Sequence, residues 1–184
     1  MKTRGQRAVA LAAVLLIASS SLVAAQSKNR AKKREQAAPS TPADKRDRVV
    51  AAPGTPFHGK PYWQAAAQCG GIYFKLGTLY SDLAIKAKVA KPDPAAYAQF
   101  TKDANGASRI ATAFFEAAER LLIADRKLAS DEAVMTYDPL SSDSGDRLKS
   151  IDAANQAAKP CPDLYQTCRS SFPQMCNNAS ALTN

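Results

Sequence analysis

Histidine is almost missing from this chain: His58 is the only one among 184 residues. Serine triads, Cys-His dyads and His-rich metal sites all need an imidazole held against a partner, so each is badly supplied. Cysteine is scarce as well, with four residues and no Cys-x-x-Cys spacing, which removes the usual zinc pattern. There is no Gly-x-Gly-x-x-Gly, no P-loop, no Ser-x-x-Lys and no calcium-loop spacing among Asp138, Asp143 and Asp146, which read instead as turn caps. After Lys60 no alternating run of β-branched residues supports a sheet, and after Gln26 no segment is long and apolar enough to span a membrane. No catalytic residue, metal ligand or cofactor is expected.

What the chain does have begins at its N-terminus. Lys2, Arg4 and Arg7 precede an unbroken apolar stretch from Ala8 to Ala18, and Val23-Ala24-Ala25 offers a small-residue cleavage site. That order is the pattern of a secretory signal peptide over residues 1–25. The alternative is an uncleaved inner-membrane anchor; Ser19 to Ser21 and basic residues on both flanks weaken it. Export to the periplasm or beyond is the expectation, and it makes disulfides the natural state of the cysteines.

The net charge of +9 hides two unlike parts. Residues 26–60 carry nine Lys or Arg against three acids, whereas residues 61–184 carry thirteen of each. Pro39, Pro42, Pro53 and Pro56 among Ala, Ser, Thr and Gly complete a composition that buries too little apolar surface to offset the entropy of ordering, so 26–60 is expected to be a disordered arm. Its run Lys28, Arg30, Lys32, Lys33 and Arg34 is expected to contact an anionic surface, lipid or polysaccharide. Nucleic acid is not expected as a partner of an exported protein. A solubilising linker without a target is the competing reading.

From residue 61 to 184 the pattern is helical. Tyr62, Trp63, Ala66, Cys69, Ile72, Tyr73, Leu76, Leu79, Tyr80, Leu83 and Val89 recur at steps of mostly three or four, with Pro61 near the start. Gly70, Gly71 and Gly77 lower helix propensity there, and their expected use is close approach of another element around Cys69. Asp93 as N-cap and Pro94 at the first position open a second helix. Its seam of Tyr97, Phe100, Ala104, Ala107, Ala111, Phe114, Ala118, Leu121 and Asp125 keeps phase through Asn105-Gly106, which predicts one long helix to about Lys127. Ser130-Asp131-Glu132 begins a short third helix ended by Asp138-Pro139. Residues 141–145 are expected to cap a fourth, with Leu148, Ile151 and Ala154, closed by Pro160. A last helical piece is expected over 163–172. The fold class is therefore all-α, a small bundle of about four helices stapled by disulfides.

Cys69 stands alone, while Cys161, Cys168 and Cys176 crowd the C-terminus. Three pairings are possible; the favoured one joins Cys69 to Cys161 and Cys168 to Cys176, and any of them staples the C-terminal segment to the first helix. Glu116, Glu119 and Asp125 are the carboxylates open to catalysis, although Glu116 four residues before Arg120 has the spacing of a solvated ion pair. Phe57, Tyr62, Trp63, Tyr73, Phe74, Phe114 and Phe115 are expected mainly in the core. Asn178-Ala179-Ser180 matches a glycosylation sequon that would be idle in a bacterial product.

The chain has the general look of small, Ala-rich, cysteine-stapled exported proteins of Gram-negative bacteria, a class that brings no activity with it. A non-enzymatic envelope protein is expected, a structural or interaction subunit that meets a protein partner or a second copy and holds an anionic surface through its arm. The alternatives are a periplasmic small-ligand or stress-binding protein and a carboxylate-dependent cell-wall hydrolase.

Overall fold

The computed structural model describes residues 44–90 and 92–177. Among these, five helices follow one another: α1 Tyr62–Val89, α2 Pro94–Arg126, α3 Ser130–Asp146, α4 Ile151–Ala158 and α5 Cys161–Ser171. Extended pairing is limited to an isolated bridge between Val49 and Pro61. The bundle is built on the long antiparallel pair of α1 and α2, with α3, α4 and α5 packed about α1.

Local chemistry sets most of the helix ends. The Asp93 carboxylate accepts from the Ala96 N–H at 3.0 Å and Pro94 follows it, so α2 starts where its orphan donors are met. The helix then runs unbroken through Asn105-Gly106, because the seam of Ala104, Ala107, Ala111, Phe114, Ala118 and Leu121 is buried against α1 on both sides of that dipeptide. α3 opens with the Glu132 carboxylate accepting from the Ala129 N–H at 3.0 Å, and α4 with Ser150 capping Ala153 at 3.2 Å.

α3 differs from the expectation at its far end. Pro139 lies inside it, and the helix continues to Asp146 rather than stopping at Asp138. A proline removes one donor, here to the Met135 carbonyl, and Met135 is exposed, so water is at hand for the acceptor left over. The gain from burying Tyr137, Ser141 and Gly145 on one face outweighs the loss. Residues 141–145 are thus the C-terminal part of α3 and not a cap, and Ile151 and Ala154 belong to the separate α4. Asp138, Asp143 and Asp146 stand on α3 itself, with Asp143 paired to Arg147 one turn on.

The core forms around Trp63, Phe114, Leu121, Leu122 and Tyr165, all buried. Phe114 meets Tyr165 edge-on at 5.4 Å and Phe115 stacks on Tyr137 at 5.7 Å. Each such side chain contributes about 1.5–3 kcal/mol on leaving water. Phe74 is the exception among the aromatics expected inside: it is 61% exposed.

Glycine does its work at Gly71. A Cβ built there would lie 1.9 Å from the Ser141 carbonyl oxygen, so α1 and α3 touch backbone to backbone. Gly70 and Gly77 give room to Phe115 and Ser108 of α2 in the same way. At Gly106, by contrast, a Cβ would meet nothing within 4 Å. Gly106→Ala is therefore expected to stabilise by about 0.5–1 kcal/mol through helix propensity. Gly71→Ala is expected to destabilise by about 1–3 kcal/mol despite the same propensity gain, because two helices must separate. Chemical denaturation of both variants checks the contrast; a stable Gly71→Ala protein would refute the close crossing.

Candidate functional site

Residues 44–60, assigned from composition to the arm, belong to the folded body. Val50 and Phe57 are buried, and the segment doubles back through Val50 N–H to the Lys60 carbonyl at 2.8 Å and Tyr62 N–H to the Arg48 carbonyl at 2.8 Å. Its apolar residues are few, yet they are placed where the helices leave a hollow. The rest of the arm, with Lys28, Arg30, Lys32, Lys33 and Arg34, lies outside the described residues, as do residues 1–25 and the sequon at Asn178.

This strap is fastened by the most developed polar cluster of the body. Asp47 accepts two parallel bonds from Arg126 at the end of α2, Nε to Oδ1 at 2.9 Å and Nη2 to Oδ2 at 2.6 Å. Arg126 also stacks 4.9 Å from the centre of the Trp63 ring. One residue along, Arg48 pairs with Asp125, both through its guanidinium and through its backbone N–H at 3.0 Å. The same guanidinium donates to the Met175 sulfur at 3.2 Å and lies 5.0 Å above the Phe172 ring. Two adjacent residues of the strap thus bind two adjacent residues of α2, and through Phe172 and Met175 they reach the C-terminal disulfide loop.

Burial pushes the Asp47 carboxyl upward, but bonds from Arg126 and the Asp44 backbone N–H outweigh it and hold the group below the usual carboxylate range. Asp47 holds the Arg126 guanidinium above its ordinary value in return. Exposed Asp44 is lowered by its neighbour Arg46. These are the signatures of ion pairs built to stay charged, not of a poised acid or base.

The carboxylates proposed for catalysis are each engaged by a neighbour. Glu116 pairs with Arg120 at 3.2 Å, Glu119 accepts from the Ser130 hydroxyl, and Asp125 holds Arg48. His58 is exposed on the strap. No group of three or more His, Cys, Asp or Glu is placed to hold a metal among the described residues. Between α1, α2 and α5 the side chains of Tyr62, Phe114, Leu164 and Tyr165 leave a crevice of about 10 Å³, about the least that holds one water.

Cys69 is joined to Cys161, and Cys168 to Cys176. The first bond ties the start of α5 to α1 across 92 residues; the second closes the loop that carries Phe172 and Met175. Both point to an oxidising, extracytoplasmic compartment. No helix among the described residues is long and apolar enough to cross a membrane.

Sequence reasoning missed Asp47, Arg48 and Arg126. The available signal was Asp125, a charge on an otherwise apolar seam, which demands a counter-ion from another element. It also missed the surface left open on α1. Phe74, Ile85 and Val89 are 61%, 60% and 73% exposed. With Thr78 they occupy one arc of about 60° on the helix. No family model, curated protein or solved structure matches this chain.

Proposed function

We propose that this chain is an exported, non-enzymatic protein of a Gram-negative envelope, a structural or interaction subunit whose body meets protein and whose basic run Lys28–Arg34 contacts an anionic surface. The observation that carries the reading is the open apolar face of α1, displayed on a body stapled by two disulfides. Contiguous exposed apolar surface on a soluble protein marks a place of contact. The buried carboxylates support the same view, since Asp47 and Asp125 spend their charge on holding the chain to itself. The periplasm is the compartment that best joins the disulfides to the leader-like residues 1–25.

Crosslinking in intact cells followed by purification tests the reading, using the full chain and a variant lacking residues 26–43. A crosslinked protein partner or a second copy is expected with both, and flotation with vesicles of anionic but not neutral lipid only when 26–43 is present. An isolated monomer that ignores both kinds of vesicle would overturn it.

A further inference from the structure

The face of α1 that lies under α3 at Gly71 does not end where α3 ends. It continues through Phe74, Thr78, Ile85 and Val89, one side of the helix at steps that keep within the same arc. Beyond Leu76, Gly77 and Ala84 are the only buried residues of α1, and α2 has none before Ala104. The two helices therefore project past the body as a thin hairpin with its apolar side uncovered. We propose that this side pairs with the same side of a second copy, α1 against α1 antiparallel, about a twofold axis between Ser81 and Asp82. The proposal rests on the interaction reading above and names its partner.

Two features favour a second copy over another protein. The first is self-complementarity. An antiparallel alignment about that centre sets Phe74 against Val89 of the other copy and Thr78 against Ile85, a larger side chain against a smaller one in each case. A twofold axis repeats every such contact, which is how an isologous interface is made.

The second is area. Phe74, Ile85 and Val89, more than half exposed, offer with Thr78 on the order of 400 Å² per copy, and the flanking residues bring the paired total to about 1,000 Å², the size at which a specific interface begins. Two hairpins side by side also complete a four-helix arrangement, in which each apolar stripe gains a neighbour.

Sedimentation equilibrium of the disulfide-intact full chain is the test. A dimer is expected, and Ile85→Asp, a change at an exposed position that leaves the fold alone, is expected to weaken it at least about thirtyfold. Ser81→Cys is expected to give a disulfide-linked dimer on mild oxidation, whereas Met135→Cys, equally exposed on α3, is not. A monomer at concentrations of about 100 μM would overturn the pairing, as would a dimer indifferent to Ile85→Asp and Phe74→Asp. If the chain is monomeric yet crosslinks to another protein in cells, the interaction reading stands and this inference alone falls.

Discussion

Replacing Cys69 and Cys161 together by alanine is expected to lower the unfolding free energy by about 4–5 kcal/mol, because the bond closes a loop of 92 residues in the unfolded chain. Both sulfurs are fully buried at the contact of α5 with α1, so no other surface contact replaces the link. For a body of this size such a loss is a large fraction of the whole stability. The Cys168→Ala/Cys176→Ala pair provides the control: its loop spans only eight residues, and the same chain-entropy argument gives about 2–3 kcal/mol. Denaturant unfolding of the two double variants measures the difference. Equal losses would mean that loop entropy is not what these bonds supply.

Asp47→Asn is the second large effect. The Asp47 side chain is wholly buried and that of Arg126 is 9% exposed, so the substitution leaves a guanidinium in the interior without its counter-ion. Breaking a buried pair in this way is expected to cost about 3–5 kcal/mol at neutral pH. The cost must also depend on pH. The folded-state pKa of Asp47 lies below its ordinary value, so its contribution is fully present above the unfolded pKa of 3.8 and is lost as pH falls through the lower folded value. The gap between the natural protein and Asp47→Asn should therefore be constant from neutral pH to about 5 and narrow below about 4. Thermal unfolding across that range reads it directly. A gap that widened in acid would show that Asp47 is not charged in the folded protein.

The helical architecture was legible because it depends on periodicity, and periodicity is local. The seam of α2 could be followed through Asn105-Gly106 since eight apolar positions outvote one unfavourable dipeptide. The misreadings share one cause: a local signal was overruled by a contact made elsewhere. Pro139 reads as a stop until Ser141 and Gly145 are seen packed on α1 and Tyr137 stacked on Phe115 of α2. Residues 44–60 read as arm because Lys, Arg and Pro dominate them, yet Val50 and Phe57 find the core and Asp47 and Arg48 find α2. Phe74 reads as core because its spacing is helical, and only the placement of the other helices about α1 decides that nothing covers it. The candidate site was the least legible part. An open face is defined by what does not reach it, and no residue carries that information alone.

The strap and the hairpin tip lie at opposite ends of α1, a helix of 28 residues and so about 42 Å long. Whatever tension reaches the body through residue 44 is met first by the two arginine–carboxylate clasps, which pass it to α2 and, through Met175 and Phe172, to the Cys168–Cys176 loop. The tip, meanwhile, is displaced from that point of traction by most of the length of the helix. A body so arranged is a stand-off, holding its hairpin tip some 40 Å from the end at which the strap joins α1.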